Sequence, residues 1–260
     1  MTRCITRPSR GPRWVRHPAD ARPGIGPSDA RARIGSVVDA ATRRAELERR
    51  QEAWRGCERL LIATPDAEIR PVCERLAPRL DDAAAVIHFS GATSVHALDA
   101  ARGPTACVHP LQTVWPELGP DQLETAYAAV TGDASIGNRL AVELGMIPFP
   151  LADEHKPVYH AASAFASNYL ITISDVAVAL LERSGLERNL AIAALRPLQE
   201  RTLLVVGRTP TGPIARGDAG TVAAHLAAVG PELAPLYRAL GRATLPLVSQ
   251  EAAEAVEPLL

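Results

Sequence analysis

Apolar residues fall into two textures along this chain. Between about residues 58 and 152 they form runs of strand length separated by helical patterns. Beyond about 152 the runs give way to a period near 3.6. "RLLIATPDAEIRPVCERLAPRL" reads as a buried strand, a sharp turn at Thr64-Pro65-Asp66 and an amphipathic helix. "AAAVIHFSGA" is a second buried strand ending in a small-residue loop, and "TACVHP" and "AYAAVTGD" are two more. Upstream, "IGSVVDA" is a short apolar run and residues 40–56 read as a charged helix. Strands of this length alternating with helices predict a parallel α/β sheet, whose ligands bind at the carboxyl ends of the strands. "TPD", "HFSGA" and "HPLQT" fall at that edge.

From 153 the pattern is helical to the end. "KPVYHAASAFASNYLITISDVAVALLERSG" predicts one long helix, with Pro157 in its first turn and Gly185 just past its end. It is apolar nearly all round, which predicts burial between helices or in a dimer interface. Further helical patterns cover roughly 186–206, 218–229, 231–243 and 249–258. Residues 1–33 break the texture, with Pro8, Pro12, Pro18, Pro23 and Pro27 and eight arginines against Asp20 and Asp29. No run of strand length occurs there, so a disordered segment is expected. The organisation read from sequence is therefore 1–33 disordered, 34–152 α/β, and 153–260 all-α.

Composition adds exclusions. Charged residues make up 22%, the formal net charge is -1 and aromatic residues are 4%, which removes the electrostatic and stacking grounds for nucleic-acid or membrane binding. Cys4, Cys57, Cys73 and Cys107 form no CxxC pair, so reduced thiols in a cytoplasmic protein are expected, with no metal site. Lys156 is the only lysine in a chain otherwise basic through arginine.

Three groups carry candidate chemistry. His160, Ser163, Ser167 and Asn168 stand at i, i+3, i+7 and i+8, on one face of the long helix. They predict a polar stripe along a cleft, with His160 as proton donor, or a stripe satisfied by neighbouring helices. Thr211, Gly212, Pro213 and Gly217 make a tight loop in which Asp218 caps the next helix; Arg216 beside it suits a carboxylate, or pairs with Asp218 at the surface. His88 and His109 close apolar strands at the ligand edge, where Ser90 and Gly91 permit close backbone approach.

Taken together, "IATPDAEI", "VIHFSGA", "VHPLQT", "YHAASAFASNYL" and "TGPIARGDAGTVAAHL" resemble the signature blocks of a family of NADP-dependent oxidoreductases predicted from sequence. The resemblance runs in order from about residue 58 to the end. It implies a Rossmann-like N-terminal domain and a C-terminal domain of unknown function similar to the 6-phosphogluconate dehydrogenase C-terminal fold. More distantly it extends to ketopantoate and pyrroline-carboxylate reductases. Implied with it are reduction of a small carbonyl or imine compound, ketopantoate-like keto acids among them, NADP as cofactor with NAD as alternative, and a homodimer. By the same resemblance Thr64, Pro65, Asp66, Ser90 and Gly91 face the nicotinamide half, while His160, Asn168, Arg216 and Asp218 face substrate, joined by His109, Ser163 and Thr211. Related dehydrogenases carry a lysine where this chain has Ala164, which leaves His160 as proton donor and Lys156 as second choice, because an imidazole titrates near neutrality.

The dinucleotide fingerprint itself is missing. Gly24-Ile25-Gly26 follows no strand, and Asp29 stands where the third glycine belongs. "IGSVV" reads as the second strand, with Asp39, Arg43 and Arg44 placed to read an adenosine ribose. Three readings follow: an NADPH-dependent reductase whose N-terminus is wrongly called or frame-shifted, a redox-silent ligand-binding or scaffold protein, or an isomerase or dehydratase using His160 without a cofactor.

Overall fold

The computed structural model describes residues 56–260 apart from 116 and 118, together with the strands at 2–5 and 13–15. The expected "IGSVV" strand, Gly24-Ile25-Gly26, Asp39, Arg43, Arg44 and all of the 40–56 helix except Gly56 lie outside the described residues.

Seven strands form one sheet in the order β2-β1-β3-β4-β5-β6-β7. They are β1 (Thr2–Ile5), β2 (Arg13–Val15), β3 (Arg59–Ile62), β4 (Ala85–His88), β5 (Thr105–Pro110), β6 (Tyr127–Gly132) and β7 (Ile147–Pro150). The β3–β4, β4–β5 and β6–β7 pairs are parallel, while β6 runs against β5. The sheet is thus mostly parallel from β3 to β7, rather than wholly parallel as expected. Two local readings also differ. β1 and β2 pair as an antiparallel ribbon inside the segment expected to be irregular. β7 carries little strand signal in the sequence, since "IPFP" has only four residues and two prolines, which suits an edge strand.

The central strands are near-continuous apolar runs because both faces are covered. Alternation sends Leu60, Ile62 and Val86 to one face, where Ile69, Val72, Cys73 and Leu76 of α1 (Asp66–Leu76) pack on them. It sends Leu61, Ile87, Ala106, Val108 and Val130 to the other, against Ile136, Leu140 and Ala141 of α2 (Ala134–Glu143). Asp133 caps α2 by accepting from the Ser135 and Ile136 N–H groups at 2.9 and 3.1 Å. We expect Asp133→Ala to lower stability by about 0.5–2 kcal/mol, read by urea denaturation. Cys57, just before β3, is disulfide-bonded, so the thiols are not all reduced as expected; Cys73 and Cys107 are free.

The expected long helix is two: α3 (Lys156–Ala166) and α4 (Asn168–Arg183), interrupted at Ser167, whose φ of -124° and ψ of -73° are not helical. Compact units divide at Asn168/Tyr169, whereas the sequence texture changes at 152/153. The difference has a physical cause: α3 is bonded through its side chains to the carboxyl edge of the sheet. The second unit adds α5 (Arg188–Leu203), α6 (Ala219–Thr244) and α7 (Gln250–Val256). α6 is interrupted at Gly230, φ 81° and ψ 173°, where the sequence pattern also pauses. Val222, Val256 and Leu260 form the buried centre of that unit. In α4 and α5, by contrast, the buried residues are Val178 and Ala191. Tyr169, Ile171, Ile173, Leu198, Leu204 and Val206 are exposed. The expected burial of the long apolar segment is therefore not met within one chain.

Candidate active site at the carboxyl edge

Strands β3, β4 and β5 run parallel, so their carboxyl ends deliver Thr64, His88 and His109 to one edge of the sheet. The loop after β4 is folded around Ser90. Its hydroxyl donates to Asp66 at 2.7 Å and accepts from the Ala92 and Thr93 N–H groups. Gly91 follows where there is room for no side chain: a Cβ there would stand 2.8 Å from His109 Cε1 and Nε2 and 2.8 Å from His160 Nδ1.

Helix α3 closes this edge. Asp153, in the turn before it, accepts from the Ser94 hydroxyl and, at 2.9 Å, from the Val95 N–H. Burial pushes the Asp153 carboxyl up, but these two hydrogen bonds hold it below the usual carboxylate range. One turn on, Lys156 is 2% exposed, and its Nζ donates to the Ser90 carbonyl and to Cys107 Sγ, both at 3.0 Å. Tyr159 Oη and His109 Nδ1 share a 2.7 Å hydrogen bond, and the His109 and His160 rings stand edge to face at 6.1 Å. His160 itself is exposed. Thr113 and Ser167 hydroxyls bond to each other at 2.7 Å.

Burial sets the charge states. It depresses His88 to about 4, helped by the Lys156 charge, and depresses His109 to about 4, helped by His160. It pushes the Tyr159 phenol up to about 12 and the Cys107 thiol upward, the latter opposed by Lys156. The edge therefore presents neutral imidazoles and a protonated phenol near neutral pH. His88 Nδ1 accepts from the Ser90 N–H at 3.1 Å, which puts its proton on Nε2. That Nε2 and the Thr64 hydroxyl are buried without hydrogen-bond partners.

Between pH 6.5 and about 4 the unfolded chain binds protons at His88 and His109 that the folded chain does not. Stability therefore falls as pH falls through that window, by up to roughly 3 kcal/mol for His88 and less for His109, which solvent reaches. Denaturant midpoints at pH 7, 5.5 and 4.5 check it; a flat profile would contradict it.

Of the residues singled out from sequence, the structure brings Asp66, Ser90, Gly91, His109, Lys156 and His160 together, with Thr64 and Pro65 between β3 and α1. Ser163 turns its hydroxyl back to the Tyr159 carbonyl at 3.1 Å. Ser167 interrupts the helix and Asn168 starts α4, so the four-residue stripe is not one continuous helical face. Thr211, Arg216 and Asp218 belong to the second unit. There Asp218 accepts from the Thr221 N–H at 2.9 Å and from its hydroxyl at 2.6 Å, capping α6. Those bonds, then the Arg216 charge, hold its carboxyl below the usual range. Nothing in the spacing of Tyr159 and Cys107 marks them as site residues in the sequence. The second unit also has an open groove of about 680 Å³ lined by Leu180, Arg183, His225, Val229 and Tyr237, whose Arg183 already donates to the Ala228 and Val229 carbonyls. Among the described residues no cluster of His, Cys, Asp and Glu suits a metal ion.

The edge suits one half of a nicotinamide dinucleotide. The Thr64 hydroxyl is left without a partner at this edge, while the His109 and His160 rings cover the face of Gly91. The pyrophosphate half needs a strand that ends at this edge and turns into a helix. β1, the neighbour of β3, is antiparallel to it and pairs Thr2 with Ile62, so it begins at this edge instead of ending there. Beside β3 the described residues therefore form no phosphate turn.

Residues 126–244 match the family model described as Domain of unknown function (DUF2520). Solved structures share the fold. A candidate NADP oxidoreductase from Bacteroides fragilis is 15% identical with a TM-score of 0.61, covering 74% of this chain and 76% of its own. A protein from Thermotoga maritima is 22% identical with a TM-score of 0.59, covering 76% and 78%. Pyrroline carboxylate reductase from Plasmodium falciparum, solved with NADP bound, is 12% identical with a TM-score of 0.52, covering 80% and 79%. No curated protein sequence matches the chain. The domain match and the two-part architecture, a Rossmann-like sheet followed by helices, agree with the resemblance drawn from the sequence blocks.

Proposed function

We propose that this chain is a nicotinamide-dependent oxidoreductase acting on a small carbonyl or imine compound, a keto acid of ketopantoate type among them. The observation that carries the reading is the convergence of Thr64, Asp66, Ser90, Gly91, His109, Tyr159 and His160 at the carboxyl ends of three parallel strands. The solved relatives named as NADP oxidoreductase and pyrroline carboxylate reductase support the reaction class. When bound, a reduced nicotinamide supplies the hydride. Thr64, Pro65, Asp66, Ser90 and Gly91 hold its nicotinamide half, with NADP favoured and NAD the alternative.

The chain's own residues do the rest. His160, exposed beside Gly91, gives a proton to the substrate oxygen or nitrogen. The Tyr159–His109 pair orients that atom through the phenol. Lys156 is a positioning residue: its Nζ is committed to Ser90 and Cys107 and fixes the loop that carries Gly91.

Reduction of a panel of small keto acids and cyclic imines, followed by loss of NADPH absorbance, tests this. His160→Gln should lower kcat by about 100-fold or more, with binding of the reduced nicotinamide retained. An unchanged rate in that variant, or a panel with no turnover, would count against the reading.

We also propose a homodimer formed through the exposed apolar faces of α4 and α5, a surface of the kind that marks protein interfaces. The apolar stretch Asp153–Arg183 is long enough by length and composition to cross a membrane. It is interrupted at Ser167, and its first part buries Lys156 against the sheet edge, whereas a span needs about 20 continuous residues. Sedimentation at micromolar concentration should give a dimer; a clean monomer would refute that part.

A further inference from the structure

Lys156 and Cys107 are 2% and 1% exposed. The sole lysine of the chain thus lies with its Nζ 3.0 Å from a free cysteine sulfur. Both groups point at one acceptor, the Ser90 carbonyl, with Nζ at 3.0 Å and Sγ at 3.1 Å. A carbonyl has two lone pairs and serves both donors. A buried ammonium ordinarily sits against a carboxylate, yet here the hydrogen-bonded neighbours are a sulfur and a carbonyl. Sγ donates to the Ser90 carbonyl and so carries its proton as a thiol, and the nitrogen reacts as the amine once an ammonium proton has left to solvent.

We propose that Lys156 and Cys107 form a covalent modification site, in which dioxygen joins them through one oxygen atom as an Nζ–O–Sγ bridge. Dioxygen is the oxidant, and it is small and apolar enough to reach a buried pair. One N–H and the S–H bond break, N–O and O–S bonds form, and the second oxygen atom leaves as water with those two hydrogens. Nitrogen and sulfur each lose two electrons, and dioxygen takes up four. Two equivalents of a dithiol return the amine, the thiol and one water. From a 3.0 Å contact, a one-atom bridge needs less approach than a direct N–S bond. The bridge ties α3 to β5 across the Ser90–Gly91 loop, and so fixes the candidate site in one arrangement under oxidising conditions.

Because Lys156 is the only lysine, one label reads the site cleanly. The full chain is exposed to air or kept anaerobic with a dithiol, then denatured without reductant and labelled at amines and thiols. A glutamate-specific protease releases the peptides that carry residues 107 and 156. In air, labelling of Lys156 and Cys107 should fall together, and the two peptides should appear joined, about 14 Da heavier than their sum. Dithiol should restore both labels, and Cys73→Ser should behave like the parent chain. Full labelling of both groups after air exposure would overturn the proposal. So would a Cys107 peptide about 32 Da heavier beside a free Lys156, or a joined pair about 2 Da lighter than the sum, which marks a direct N–S bond. Lys156→Arg should abolish the joined species; if that variant does not fold, the measurements on the parent chain decide alone.

Discussion

Gly91→Ala is expected to lower affinity for a reduced nicotinamide by at least about ten-fold, a loss of roughly 1.4 kcal/mol. One methyl group has this effect because of what surrounds it. The added Cβ meets the His109 ring at 2.8 Å on one side and the His160 ring at 2.8 Å on the other. His109 cannot swing away freely, since its Nδ1 is bonded to Tyr159 at 2.7 Å. Gly91 is not in the left-handed region, so the backbone accepts alanine and the effect is one of crowding. Stability should fall by about 1–3 kcal/mol, the usual cost of overpacking. Isothermal titration and thermal unfolding of the variant separate the two losses. An alanine variant that binds like the parent would mean that the two histidine rings do not border the ligand.

Lys156→Ala should have the largest effect on stability, about 2–5 kcal/mol, because it removes a long buried side chain and leaves its space behind. Lys156→Met fills much of that space but donates no hydrogen bond. The Ser90 carbonyl keeps the Cys107 thiol as donor. The methionine variant should therefore lose only about 1–3 kcal/mol, the cost of removing a donor from a buried polar group. Urea midpoints for the two variants check the order. Equal losses would place the whole contribution of Lys156 in its hydrogen bonds and none in its packing.

Much of the fold is legible in the residues. β3 to β6 are apolar runs closed by turn residues, α1 buries Ile69, Val72, Cys73 and Leu76 at helical spacing, and the interruption of α6 coincides with Gly230-Pro231. Elements that depend on pairing alone are harder to read. β7 is four residues with two prolines, and the ribbon of β1 and β2 lies among prolines and arginines that argue locally against strands. Ser167 offers no sequence signal of the break between α3 and α4, since Phe165, Ala166, Asn168 and Tyr169 continue the helical pattern.

The site divides in the same way. His88 and His109 are visible because strand-end histidines fall at the ligand edge of any parallel sheet. Gly91 is visible as part of a small-residue loop. Lys156 stands out in the sequence only by its rarity, and its burial against Cys107 arises from the approach of α3 to β5. Tyr159 is hidden because a tyrosine on an apolar helix reads as packing until the partner of its hydroxyl is known.

In the proposed function the edge formed by Thr64, Ser90, Gly91, His109 and His160 holds the nicotinamide half of the cofactor, while among the described residues no phosphate turn stands beside β3. The most direct measurement is titration of the full chain with NADPH and, separately, with reduced nicotinamide mononucleotide, following nicotinamide fluorescence. Both should bind saturably, with the mononucleotide within about ten-fold of the dinucleotide, a gap of no more than roughly 1.4 kcal/mol. Absence of binding by either ligand to the folded chain would contradict this reading.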